Sequence, residues 1–178
     1  MDRKLRNEEL GRPDLEEYLE VPKNPIVVVL DNIRSLNNVG SVFRSSDAFS
    51  VEAIYLCGIT AQPPHREINK TALGATESVS WKYFDKTENA LKSLKKQGYG
   101  IWSIEQTERS ISLPDFNPLE LKKKIALVFG HEVKGVQQEV VNLSDGVLEI
   151  PQSGTKHSLN ISVSVGVVLW DLINKLKQ

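Results

Sequence analysis

The chain has 178 residues, of which 40% are hydrophobic and 25% charged, the length and balance of one globular domain, so wholesale disorder and fibrous classes are excluded. With 22 Lys+Arg against 23 Asp+Glu the formal net charge is -1; no global positive field draws in nucleic acid or anionic lipid, and any RNA contact must rest on a local basic patch. The single cysteine, Cys57, excludes an internal disulfide; it ends an apolar run and reads as an inert buried thiol of a reducing compartment.

In chain order, Met1 to Asn24 is densely charged, partly helical in pattern and closed by Pro22 and Pro25. It is expected to be a short extension, residues 1–24, ahead of a single domain, 25–178. It lacks the apolar stretch of a signal peptide, which predicts a cytoplasmic protein. Ile26 to Leu30 is a β-branched run that reads as a buried strand, and similar runs recur at Ala53 to Cys57, Gly100 to Ile104, Ile125 to Phe129 and Val147 to Ile150. Their nearly continuous apolar character is that of parallel strands covered on both faces. Between them, Val39 to Ala48 has helical spacing, and Thr87 to Gln97 places Ala90, Leu91 and Leu94 on one face, with Thr87 as the expected N-cap. The stretches Gly58 to Glu67 and Leu113 to Pro118 are proline-bearing loops, and Leu159 to Leu176 is a long helix with an unusually apolar body. Alternating strands and helices predict an α/β fold with a mostly parallel sheet flanked by helices. No apolar run approaches the roughly 20 residues that span a bilayer, so no membrane segment is expected.

Three polar, glycine-bearing segments adjoin strands, where open parallel sheets bind ligands. They are Asp31 to Arg44, Phe129 to Gly135 (Phe-Gly-His-Glu-Val-Lys-Gly) and Ile150 to Asn160 (Ile-Pro-Gln-Ser-Gly-Thr-Lys-His-Ser-Leu-Asn). Taken singly, each also reads as turn and cap chemistry. Common alternatives fail on spacing. No G-x-G-x-x-G opens a helix after the first strand, and Lys156 lacks the P-loop glycines. The pair His131-Glu132 is followed by Gly135 where a zinc protease needs its second histidine, and no G-x-S-x-G is present. No metal is expected, since the three histidines show no ligand spacing.

Together, in order, spacing and content, Asn32 to Ser45, Leu127 to Gly135 and Ile150 to Val163 resemble the three motifs of the SpoU family of RNA 2′-O-ribose methyltransferases, of the SPOUT class. Lys70 to Ala75 resembles a shorter family segment, and the resemblance spans roughly Pro25 to Lys175. It implies a C-terminal deep trefoil knot, which periodicity alone could never indicate because knots are rare. It implies S-adenosylmethionine held in the loops of the second and third motifs, with Gly130, Ile150 and Leu159 lining the site and Leu127, Gln152 and Ser158 beside it. It also implies methylation of a ribose 2′-hydroxyl in tRNA or rRNA, with Arg44 at the reacting hydroxyl and Asn38, Glu132, Ser158 and Asn160 completing the active site. A guanidinium stays protonated, so clamping the adjacent phosphate and orienting the ribose suits Arg44 better than acting as a base. Arg34, Arg44, Arg66, Lys70, Lys134, Lys156 and His157 lie in or beside these loops and are the expected RNA-binding rim, whereas Lys92 to Lys96 and Lys122 to Lys124 read as solvated faces.

The family likeness further implies a homodimer through the last helix, whose apolar Val163 to Ile173 face, with Trp170, is wider than one buried stripe requires. Burial of that face in the monomer core competes. Two departures from the family pattern stand out: His131 and Val133 flank Glu132, and Gln152 stands where methionine is common. Bland readings remain open beside the functional ones: Asn38 as a helix N-cap, Ser158 and Asn160 as caps of the last helix, Glu132 as a solvated carboxylate. A non-catalytic RNA-binding or ribosome-assembly module that kept the fold is the alternative to the enzyme. An oxidoreductase on a conventional doubly wound sheet is a third reading, weakened by the missing glycine fingerprint.

Overall fold

In the computed structural model, which describes residues 2–121 and 124–177, β1 (Asn24–Asp31), β2 (Val51–Cys57), β3 (Trp81–Phe84), β4 (Tyr99–Ile104), β5 (Ile111–Ser112), β6 (Lys124–Phe129) and β7 (Gly146–Glu149) make one sheet. Its order is β3-β2-β1-β6-β4-β7-β5 and every pairing is parallel. All five predicted strands are present within a residue or two. The four-residue β3 and two-residue β5, too short to carry a periodic signal, are additions at the sheet edges. Lys122 and Lys123 of the expected lysine face lie outside the described residues.

Period-two alternation along β1 explains the two-layer core. Ile26, Val28 and Leu30 point to one face, under α2 (Leu36–Ala48) and α7 (Ile161–Leu176), where they meet Val39, Phe43, Val165 and Leu169. Val27 and Val29 point to the other, under α5 (Thr87–Lys96) and α6 (Gln138–Leu143), where they meet Leu91, Leu94 and Val140. Both faces of the central strands are therefore covered, as their sequences require. The stretch 66–78 forms two short helices, α3 (Arg66–Ala72) and α4 (Ala75–Ser78), with α3 against α2. Among the described residues of the N-terminal extension, a 3-10 turn, Asn7–Leu10, and the short helix α1 (Leu15–Glu20) form, and Asn24 already opens β1. No helix of the described residues is long and apolar enough to cross a membrane.

Two expectations shift. Helix α7 starts at Ile161 instead of Leu159, because Asn160 is its cap. Helix α5 is preceded by Lys86 as N-cap; Thr87 is its first helical residue, and its hydroxyl donates to Asp31 instead of capping. On α7, Val165, Val168, Leu169 and Leu172 are buried while Val163, Val167 and Trp170 stay exposed, so burial accounts for only part of its apolar surface.

Cys57 is fully buried at the end of β2, and burial, with the Asp31 and Glu88 carboxylates adding to it, pushes its thiol from the ordinary 9.0 up to about 12. Only thiolate attacks an alkylating reagent. The native protein is therefore expected to resist iodoacetamide at pH 8 while the denatured chain reacts fully, as mass spectrometry would read; fast native labelling would contradict the burial. The folded state holds this proton more tightly than the unfolded one, so the contribution to stability is full below about pH 9 and declines as pH rises from there toward 12.

Candidate active site

The three sequence motifs meet at the carboxyl ends of the central strands, joined by two carboxylates. Strand β1 ends at Asp31, which is fully buried. Its Oδ1 accepts from Thr87 Oγ1 at 2.6 Å, Asn32 Nδ2 at 2.9 Å and Gln137 Nε2 at 2.9 Å, and its Oδ2 from the Gln137 backbone N at 3.1 Å. The start of the first motif is thereby fixed to the residue that leaves the second.

Glu132 makes the second link. Its Oε1 accepts from Ser35 N at 2.9 Å and Asn38 Nδ2 at 3.2 Å, its Oε2 from Arg34 N at 3.1 Å. These are free donors at the amino end of α2, where the helix dipole also favours a negative charge. Burial on its own would raise the Glu132 carboxyl, but the N–H groups of Ser35 and Arg34, its own N–H and the Asn38 amide together hold it below the usual carboxylate range. The solvated-loop reading of Glu132 therefore fails. The N-cap reading of Asn38 fails too, since Ser35 caps α2 and accepts from Asn38 N at 3.2 Å.

Asn160, in the third motif, does two things at once. Its Oδ1 caps α7, accepting from Ser162 N at 2.9 Å, while its Nδ2 donates to Asn38 Oδ1 at 3.2 Å. The polarity of the network is dictated from both ends. An ionised Glu132 only accepts, so Asn38 presents its amide nitrogen there and its oxygen to Asn160. The cap needs the Asn160 oxygen, which leaves that residue's nitrogen for Asn38.

Beside this network lies a cavity of about 530 Å³, within the usual range of roughly 300–1,000 Å³ for small-molecule sites. Ile104 from β4, Phe129 from β6 and Ile150 just past β7 give it apolar walls, and Gly130, Glu132, Lys134, Gln152, Ser158, Leu159 and Asn160 are among the other residues that line it. Gly130 is required by close approach: a Cβ there would fall far inside van der Waals contact of the Gly135 and Val136 backbone. The loop is pinched shut by paired bonds between His131 and Gly135, N to O at 3.0 and 2.8 Å. His131 Nδ1 also accepts from Val133 N at 3.0 Å and Lys134 N at 3.3 Å, so this departure closes the turn and leaves Val133 81% exposed at its tip.

Of the residues predicted from sequence, Leu127 is buried in β6, two positions short of the lining residue Phe129, and Asn38 reaches the cavity edge through Glu132. Arg34, Arg44, Arg66, Lys70 and Lys156 are exposed and do not line the cavity. Arg44 has no hydrogen-bond or ion-pair partner among the described residues, while Lys70 lies 3.9 Å from Glu67. His157 lines the cavity through the third-motif loop. Sequence reasoning missed Glu105 and Gln106, which follow β4 and line the opposite wall; only their place directly after a strand could have singled them out.

An all-parallel sheet whose loops gather polar groups around a ligand-sized cavity beyond β6, β4 and β7 defines an α/β domain with a small-molecule site at the carboxyl ends of its strands. The particular family follows from likeness: the profile of the SpoU rRNA Methylase family matches residues 25–170, and the chain belongs to that family. The tRNA (guanosine(18)-2′-O)-methyltransferase of Aquifex aeolicus is 30% identical over 161 residues, 88% of this chain and 72% of the relative. The crystal structure of the A. aeolicus TrmH/SpoU tRNA modifying enzyme has a TM-score of 0.80 at 25% identity, covering 92% of this chain and 81% of that one. The SpoU methyltransferase AviRb of Streptomyces viridochromogenes, in complex with the cofactor AdoMet, shares the fold with a TM-score of 0.79 at 19% identity, covering 95% of this chain and 67% of that one.

Proposed function

We propose that the protein is an S-adenosylmethionine-dependent RNA methyltransferase that methylates a ribose 2′-hydroxyl in tRNA or rRNA. The observation that carries the reading is the hydrogen-bonded chain from Asn160 through Asn38 to Glu132, which locks all three family motifs together at the mouth of one cavity. The cavity fits the cofactor in kind. Ile150, Leu159, Phe129 and Ile104 offer apolar walls to an adenine ring, and the backbone of Gly130 to Val136 offers polar groups to it. When bound there, S-adenosylmethionine supplies a methyl group activated by a sulfonium.

The chain's own residues do the positioning. In-line transfer demands close alignment of the ribose oxygen. Arg44, exposed and with no side-chain partner among the described residues, clamps the phosphate next to the reacting ribose with a bidentate fork. Asn38 and Asn160 hold the ribose edge with amides whose polarity is already set, and Ser158 presents its hydroxyl from the loop beside them. Arg34, Arg66, Lys70, Lys134 and Lys156 form the basic rim that meets RNA phosphates.

The same reading takes residues 25–178 as one methyltransferase domain with 1–24 as an extension, in a cytoplasmic homodimer whose contact is the exposed Val163, Val167 and Trp170 face of α7. It includes the deep knot: α7 follows β7 yet packs against α2, next to the first motif, as a chain end drawn back through the second-motif loop would do.

The test is transfer of labelled methyl from S-adenosylmethionine to total tRNA and rRNA from cells lacking the protein. Label on ribose 2′-oxygens of one RNA fraction supports the enzyme; cofactor binding without transfer to any fraction favours the non-catalytic module. Within this reading, Glu132→Gln is expected to lower kcat on the order of tenfold to a hundredfold, because the amide has one accepting oxygen where the carboxylate has two, and Arg34 N, Ser35 N and the Asn38 amide cannot all be met. The effect should be mimicked by acid in the wild type. The Glu132 anchor is complete above about pH 4.5 and is lost as pH falls through its lower native value. Unchanged kcat in the variant would remove the network from the mechanism.

A further inference from the structure

Two adjacent residues that no family motif contains hold the two walls of the cavity. Gln106 Nε2 donates to the His157 carbonyl at 2.9 Å, fixing the third-motif loop. Glu105 serves the second-motif loop: its Oε2 accepts from Val136 N at 2.9 Å and its Oε1 from Gln106 N at 2.8 Å. A Cβ on Gly135, whose φ is +68°, would collide with the Glu105 carboxylate. The carboxylate is thus seated against the loop by backbone groups on both oxygens, in one fixed orientation, while it lines the cavity.

Two N–H donors do not exhaust a carboxylate, which has about four acceptor positions. The other carboxylate of the lining, Glu132, is turned to the amino end of α2 by three bonds. Glu132 has three of its positions taken and faces α2, so Glu105, with two taken, is the lining carboxylate with the larger acceptor capacity left for a ligand. A sulfonium has no N–H or O–H to offer it, whereas an ammonium brings three donors and a full positive charge, and such charge-assisted bonds are about twice as strong as neutral ones.

Resting on the S-adenosylmethionine reading, we propose that Glu105 is a cofactor-binding residue that holds the ammonium of the amino-acid tail, with Gln106 keeping the facing loop in place. Recognition of the ammonium, as distinct from simple support of the loop, separates ligands by their tails. S-adenosylmethionine and S-adenosylhomocysteine both carry the ammonium. 5′-Methylthioadenosine has the same adenosine and no amino acid.

The experiment is calorimetric titration of the full chain and of Glu105→Gln with each of the three ligands. The substituted amide has the same size and its oxygen still accepts from Val136 N, the tie to the second-motif loop, while only the bond from the neighbouring Gln106 N is given up; a thermal melt of each protein checks that the fold is kept. The expected result is a Kd at least tenfold higher for both tailed ligands, with the 5′-methylthioadenosine Kd changed by less than twofold. Equal weakening of all three would overturn the proposal and leave Glu105 as a loop tie, and unchanged binding of the tailed ligands would overturn it as well. Wild-type protein that binds none of the three would instead sink the cofactor reading itself.

Discussion

Arg44→Ala is expected to lower methyl transfer on the order of 10²–10³-fold in kcat while the Kd for S-adenosylmethionine stays within about twofold of wild type. The two halves of this expectation come from different facts. Arg44 lies on α2 outside the cavity lining, so nothing the cofactor touches is removed. It is also exposed and, among the described residues, carries no ion pair or hydrogen bond. A guanidinium left free beside a tightly tied network has no structural partner to lose, and the variant should melt within a degree or two of wild type. Arg44→Lys separates charge from geometry. Lysine keeps the positive charge but not the planar fork, so a bidentate phosphate clamp predicts recovery of less than about a tenth of the lost rate. Transfer of labelled methyl, read together with calorimetric binding of the cofactor, decides the matter. An Arg44→Ala protein that no longer binds S-adenosylmethionine would place the residue in the cofactor site instead and contradict the role at the ribose proposed for it.

The contrast between Arg44 and Glu105 shows what the sequence made legible. Continuous apolar runs at Ile26 to Leu30 and Ile125 to Phe129 announced buried parallel strands, and parallel strands put their ligand sites at their carboxyl ends. The polar, glycine-bearing segments after those strands were therefore readable as site loops, and the likeness of their order to one family named the chemistry. Strand order was not readable: β6 enters between β1 and β4, and no local pattern specifies which neighbour a buried strand chooses. The bonds that assemble the site were hidden for the same reason. Asp31 and Gln137 stand 106 positions apart and Asn38 and Asn160 stand 122 apart; Asp31, Asn38 and Asn160 each carry a plausible local role as a turn or cap residue. Asn160 in fact caps α7 with its oxygen and ties to Asn38 with its nitrogen, so a cap signal in the sequence does not exclude a place in the site network. Glu105 directly follows β4 as Asn32 follows β1, but with no glycine or asparagine around it nothing local marked it as a site residue.

Gly130→Ala is expected to have the other large effect, on cofactor affinity and stability together. The backbone of Gly130 runs against that of Gly135 and Val136, and an added Cβ would meet main-chain atoms, not the movable end of a side chain. Relief requires the loop to open. Opening stretches the paired His131 and Gly135 bonds and pulls Val136 N away from Glu105. Overpacking against backbone costs about 1–3 kcal/mol or somewhat more, and in a chain of this size each kcal/mol moves Tm by roughly 2–4 °C. A fall in Tm of about 4–10 °C is therefore expected, with S-adenosylmethionine binding weakened on the order of a hundredfold because the displaced segment is itself a wall of the cavity. Gly154→Ala is the matched control: it lies in the third-motif loop, yet a Cβ there meets nothing within 4 Å, so its Tm should stay within about 2 °C of wild type. If both glycines tolerate alanine equally, the close approach that shapes the cofactor wall is not a requirement of the site, and the second-motif loop does not need glycine at position 130.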